Sequence, residues 1–260
     1  FPFTAYDTTA SLQYRRNTFA VVEEPFEDLD IDSKSHIYTI AFRQPVYRTL
    51  NSEVALEFTG ERLSHETLLL GERFSLEPGA RNGRSIVTAL RLGQEFVHRT
   101  QNQVVAARSR FSFGVDALHA TINSQGLPDG KFFAWLGQFQ WVRRLGILNS
   151  YSIFRTDVQL SDDPLLSLEQ ISVGGRYSVR GYRENTMLRD RAIITSLETR
   201  VPLIQNVFWA DFLELAPFVD FGRGWNRERE TPNPQDIASV GVGVRWGLTT
   251  SWPVPIRPQF

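Results

Sequence analysis

From Val105 to Val115 the odd positions read Val105, Ala107, Ser109, Phe111, Phe113 and Val115, while the even ones read Ala106, Arg108, Arg110, Ser112 and Gly114. A side-chain period of two belongs to a strand with one apolar face. The same split recurs along the chain. Val54, Leu56 and Phe58 oppose Glu53, Glu57 and Glu61; Leu90, Leu92 and Phe96 oppose Arg91, Gly93 and Glu95. Phe154, Val158 and Leu160 oppose Arg155, Asp157 and Gln159, and Ile193, Leu197 and Val201 oppose Ser196, Glu198 and Arg200. Near the end, Val240, Val242, Val244, Trp246 and Leu248 oppose Ser239, Gly241, Gly243 and Arg245. Such a chain is committed to two-faced sheet.

Two architectures use two-faced strands: a soluble β-sandwich and a membrane barrel. Sandwich strands run about 5 to 6 residues, whereas these segments run roughly 11 to 14, the length a tilted strand needs to cross a bilayer. The polar face is rich in Arg, Glu, Gly and Ser, and the whole chain holds only two lysines, Lys34 and Lys131; that face suits a hydrated lumen. Phe133, Trp135, Phe139 and Trp141 gather on one apolar face, as girdle residues at a membrane interface do. The pattern predicts strands at 9–17, 36–46, 52–64, 85–98, 103–117, 131–144, 149–161, 190–201, 211–222 and 237–248. Their connections alternate long and short, as barrel loops and turns do. The fold expected is therefore all-β, a transmembrane antiparallel barrel domain over residues 1–260 in contact with the lipid bilayer.

Composition narrows the chemistry. A net charge of -1 excludes a polybasic nucleic-acid binder, and zero Cys with 4 His removes most thiol and zinc chemistry. His36, His65, His98 and His119 lack metal-ligand spacing. Glu23 with Glu24 and Asp162 with Asp163 are adjacent pairs of the kind solvated in loops, and no G-x-S-x-G elbow is present. No nucleotide-binding feature is visible. An enzyme is not expected, nor a cofactor or metal.

One stretch breaks the pattern. "GGRYSVRGYRENTMLRDRA", Gly174 to Ala192, places Arg176, Arg180, Arg183, Arg189 and Arg191 in the longest gap, about 161–189. Residue types alone allow a solvated basic loop or a phosphate cradle, although the Gly pair opens no βαβ unit. The longer run "DPLLSLEQISVGGRYSVRGYREN", Asp163 to Asn185, closely resembles the two-partner secretion transporters. These are outer-membrane pores of the haemolysin-activator type, in one superfamily with the barrel-assembly proteins. The motif V-R-G-Y, Val179, Arg180, Gly181 and Tyr182, carries the likeness, supported by Gly174 and Gly175. A second superfamily motif, F-x-D-x-G, stands at Phe218, Asp220 and Gly222. Strand parity independently puts Asp220 on the polar face with Glu214.

The resemblance implies that the loop folds back into the lumen as a tethered plug and that Arg180 pairs with Asp220. It implies a close approach or positive φ at Gly181, and a Tyr182 ring against the wall with its hydroxyl in water. It also implies about sixteen strands behind periplasmic POTRA domains, the loop lying between the eleventh and twelfth. This chain would then run from near the fifth strand to near the fourteenth. Nothing POTRA-like precedes Phe1, the tail "SWPVPIRPQF" lacks a strand pattern, and an open ten-stranded sheet has edges that lipid does not tolerate, so a fragment is expected. The function implied is an outer-membrane pore that secretes an unfolded partner exoprotein. A barrel-assembly insertase shares both motifs, and a simple porin is a third reading.

Overall fold

The computed structural model describes residues 7–20, 31–75, 77–123, 126–207 and 210–247. Ten long strands form one sheet: β1 (Thr9–Ala20), β2 (Ile31–Arg48), β3 (Ser52–Leu69), β5 (Arg84–Arg99), β6 (Gln103–Gly114), β7 (Phe133–Arg144), β8 (Tyr151–Ser161), β11 (Arg191–Val207), β12 (Ala210–Trp225) and β13 (Asp236–Gly247). They pair antiparallel in that order, with the two-residue β4 (Glu72–Arg73) on the end of β3. The sheet is not closed; β1 and β13 are its edges.

All ten expected strands are present, and several run longer than expected. β2 and β3 each have 18 residues and β11 has 17. The extra length in β2 includes Ser33, Lys34 and Ser35, where both faces are polar. A strand that continues past a bilayer keeps its hydrogen-bond ladder while water meets both sides, so alternation stops before pairing does. Both register shifts in the sheet begin at a proline, Pro45 in β2 and Pro202 in β11, where the missing N–H interrupts the ladder.

Register converts the alternation into two continuous surfaces. On one side, Ala10, Phe42, Phe58, Leu92, Phe111, Trp135 and Leu160 stand opposite one another in turn across seven strands. The neighbouring row runs Leu12, Ile40, Gly60, Leu90, Phe113 and Phe133. Leu12, Ile40, Phe42, Phe58, Leu90, Leu92 and Phe113 are exposed. An apolar belt of that extent is far larger than a soluble monomer leaves in water. The opposite face carries paired charge: Arg43 with Glu53 at 2.6 Å and Glu95 at 2.9 Å, Arg108 with Glu57 at 2.7 Å, and Arg245 with Glu214 at 2.9 Å.

The connections sort by end. At one end lie the short turns 49–51, 100–102 and 145–150. The long connections 70–83, 115–132, 162–190 and 226–235 lie at the other. The C-terminal tail from Leu248 onward lies outside the described residues.

Candidate functional site

The connection 162–190 lies along the charged face, where it packs against side chains of several strands. Its first arm buries Leu165 and Leu166 among Val87 and Ala89 of β5, Phe132, and Ala134 of β7. A 3₁₀ turn, Ser167–Glu169, follows, and then a small hairpin of β9 (Ile171–Val173) and β10 (Met187–Arg189). The sequence predicts an irregular loop here; three-residue strands are too short for a period of two to register. At the hairpin's far end Val173, Val179 and Met187 pack against Ala192 and Ile194 of β11 and Ile237 of β13. The connection therefore touches the inner wall from β5 to β13.

The bend after β9 aims the V-R-G-Y motif at that wall. Gly174 and Gly175 have φ of 109° and 101°, a region a side chain rarely enters. A Cβ on Gly175 would also stand 2.1 Å from the Glu184 carboxylate, which accepts the Arg176 N–H at 2.9 Å. The turn closes when the Gly174 N–H donates to Ser178 Oγ at 2.8 Å and the Gly175 N–H to the Val179 carbonyl at 3.1 Å. Val179 is thereby fully buried, and the Arg180 side chain reaches β11 and β12.

Arg180 and Asp220 are in contact. The guanidinium donates to both oxygens of the carboxylate, Nε to Oδ2 at 2.7 Å and Nη2 to Oδ1 at 2.8 Å, and the Arg180 backbone N–H adds a third bond at 3.1 Å. Two parallel bonds set direction as well as attraction. Ser196 Oγ holds Asp220 Oδ1 at 2.7 Å, and Arg180 Nη1 also donates to Glu198. The hydrogen bond to Asp220 leads the effects that hold the Arg180 guanidinium above the ordinary arginine range, so the guanidinium stays charged at any physiological pH.

The F-x-D-x-G spacing acquires a reason from the strand period, which turns all three residues inward. Phe218 lies under the guanidinium, its ring centroid 3.6 Å from Arg180 Cζ. Asp220 grips it. Gly222 leaves room for the loop: a Cβ there would stand 2.4 Å from Val173 Cγ1 and 2.9 Å from Val179 Cγ2. A cation over an aromatic face is worth about 0.5 to 2 kcal/mol, less than the paired charges. Phe218→Ala is therefore expected to loosen the docked connection measurably less than Arg180→Ala, read as maleimide labelling of a cysteine at position 179 in the same membranes.

Tyr182 and Gly181 complete the motif. Tyr182 is 39% exposed, and its hydroxyl donates to the Ala238 carbonyl of β13 at 3.1 Å. The hydroxyl is thus tied to the backbone of β13 on a side chain that stays open to solvent. Gly181 has φ of 88° and nothing within 4 Å of a Cβ position, so conformation and not close approach sets its identity.

Three partners escaped the sequence reading. Glu198 is visible by parity as a polar-face residue, but its place beside Arg180 follows from its register opposite Phe218. Asp190, fully buried, accepts from the Leu165 N–H, Gln170 Nε2, the Arg227 N–H and Arg229 Nη2 at 2.8 to 3.2 Å. It joins both ends of the connection to the β12–β13 loop. Glu169 meets Arg91 of β5, 78 positions away. No periodicity signals a contact at that separation.

Solved structures share this fold, CdiB proteins among them. CdiB from Escherichia coli aligns with a TM-score of 0.72 at 16% identity, covering 92% of this chain and 44% of that one. CdiB from Acinetobacter baumannii aligns at 0.70 and 13%, covering 93% and 41%. This chain thus spans less than half the length of either. Comparison with curated protein sequences gives no match. The model of the haemolysin secretion/activation proteins ShlB/FhaC/HecB matches residues 1–246. The chain belongs to that family. Membership in the ShlB/FhaC/HecB family, whose proteins are outer-membrane β-barrels, assigns the two faces their solvents: acyl chains against the apolar belt, and water against the charged face carrying Arg180 and Asp220.

Proposed function

We propose that this chain is the greater part of the pore of a two-partner secretion transporter, which passes one unfolded partner exoprotein from the periplasm to the cell surface. The family match over residues 1–246 carries this reading. The 162–190 connection is a tethered plug in the pore, and Arg180 is its latch on Asp220. Passage is passive: the charged face offers arginine, glutamate and glutamine side chains for many weak contacts, and folding outside draws the chain through. No nucleotide or nucleic acid takes part.

Deleting the gene for the complete transporter tests the reading. Loss of one exoprotein from the medium, with other outer-membrane barrels unchanged in the envelope, is the expected result. Broad depletion of barrel proteins would instead identify an assembly insertase. An unchanged medium with altered small-solute permeability would identify a porin.

A further inference from the structure

The plug connection is gripped a second time, far along the sheet from Arg180. Glu169 closes the 3₁₀ turn and places its carboxylate on Arg91 through two parallel hydrogen bonds, Nη1 to Oε2 at 2.9 Å and Nη2 to Oε1 at 2.7 Å. Arg91 also meets Glu61 of β3 at 2.8 Å and Ser112 of β6 at 2.9 Å. The Arg91 and Glu169 side chains are 7% and 8% exposed, against 23% for Arg180. Leu63 and Leu168 pack against the adjoining cluster of Leu165 and Leu166.

The two grips share no residue. Each sits beside its own apolar cluster, one on β5 and β7, the other on β11 and β13. Between them the connection stands off the wall and leaves a cavity of about 600 Å³, lined by Arg110, Gln138 and Asp157 on the strands and by Tyr177 and Glu184 on the loop. Sites without shared partners contribute nearly additively, so loss of one grip should leave the other in place. Removing one partner of a buried ion pair leaves an uncompensated charge, which makes the drier grip the harder to release.

We propose that Arg91 and Glu169 are a second positioning pair, which pins the root of the plug independently of Arg180. The proposal rests on reading the connection as a plug. When Arg180 leaves Asp220, the tip around Val179 moves while the root around Leu168 stays docked on β5. Full clearance of the pore requires the Glu169 pair to open as well. Asp190 reinforces this arrangement because its bonds to Leu165 and Gln170 tie the root to the start of β11.

These 260 residues contain no cysteine, so, with any cysteine elsewhere in the full-length transporter replaced by serine, single reporters can be placed in it: Leu168→Cys in the root and Val179→Cys at the tip. The measurement is the rate of reaction with a membrane-impermeant maleimide in outer-membrane preparations, on barrels whose gel mobility shifts on heating. Glu169→Gln should speed the root reporter about tenfold and leave the tip reporter within about twofold, because a local opening exposes only its own cooperative unit. Arg180→Ala should do the reverse. Equal acceleration of both reporters by either variant, or no response of Leu168→Cys to Glu169→Gln, overturns the proposal. Glu169→Asp keeps the charge but withdraws it from Arg91; it replaces the Gln variant if that does not assemble, with the same ordering expected. Labelling needs no cargo. Wild-type secretion by both Arg180→Ala and Asp220→Ala would sink the latched-plug reading, while the labelling pattern would still stand or fall by itself.

Discussion

Replacing Arg180 by alanine should lower exoprotein secretion by the complete transporter at least about tenfold while the barrel still assembles. The variant takes from Asp220 its cationic partner and leaves the Phe218 ring bare, while Glu198 keeps Arg200 at 2.6 Å. Breaking a fully buried pair costs about 3 to 5 kcal/mol; the wet lumen screens part of that, but even about 1.4 kcal/mol is a factor of ten in how often the tip is docked. The strands themselves are untouched, because ladder pairing and the apolar belt do not involve Arg180. Asp220→Ala should do less damage, since Glu198 and Phe218 still hold the guanidinium. Arg180→Lys should fall between wild type and alanine, because an ammonium cannot make the two parallel bonds. The measurement is exoprotein in the medium against barrel in the outer membrane. Secretion at the wild-type rate from both alanine variants would end the latch reading.

Gly222→Ala is the second large effect expected, and it acts without touching a charge. The added methyl would lie 2.4 Å from Val173 Cγ1 and 2.9 Å from Val179 Cγ2. Overpacking of this kind typically costs about 1 to 3 kcal/mol, and the mobile partner gives way before the wall does. The hairpin should therefore be pushed off β12, carrying Arg180 away from an intact Asp220, and secretion should drop nearly as far as in Arg180→Ala. A second substitution distinguishes steric exclusion from general misfolding. Val173→Ala removes the nearer of the two colliding atoms, so Gly222→Ala combined with Val173→Ala should recover part of the secretion lost. Full activity of Gly222→Ala alone, or no recovery in the pair, would show that the glycine is not there to admit the loop.

The parts legible in the sequence share one property: their signal is local. Alternation from Val105 to Val115 identifies a strand and its two faces without knowledge of any neighbour, because successive side chains must point to opposite sides. Parity likewise sets Asp220 inward, since Val219 and Phe221 flank it. The loop's role became legible only through a resemblance, carried by Val179 to Tyr182 and by Phe218, Asp220 and Gly222. Strand ends were less legible: beyond the bilayer both faces of β2 and β3 meet water, and the pattern that marks a strand disappears while the ladder continues. The hairpin of β9 and β10 was invisible, each strand holding three residues.

By itself, the order of residues determined that this chain makes long antiparallel strands with one greasy and one charged side, because a pleated backbone converts every second residue into a surface. It also determined which loop is exceptional. Only the tertiary structure decided which charges meet. Arg91 reaches Glu169 across 78 positions, Asp190 gathers both ends of the loop together with Arg227 and Arg229, and Glu198 joins Arg180 because register sets it opposite Phe218. Hydrogen bonds and ion pairs act over a few ångströms of space whatever the distance along the chain, so their partners are settled when the sheet aligns its strands and the loop lies down upon it.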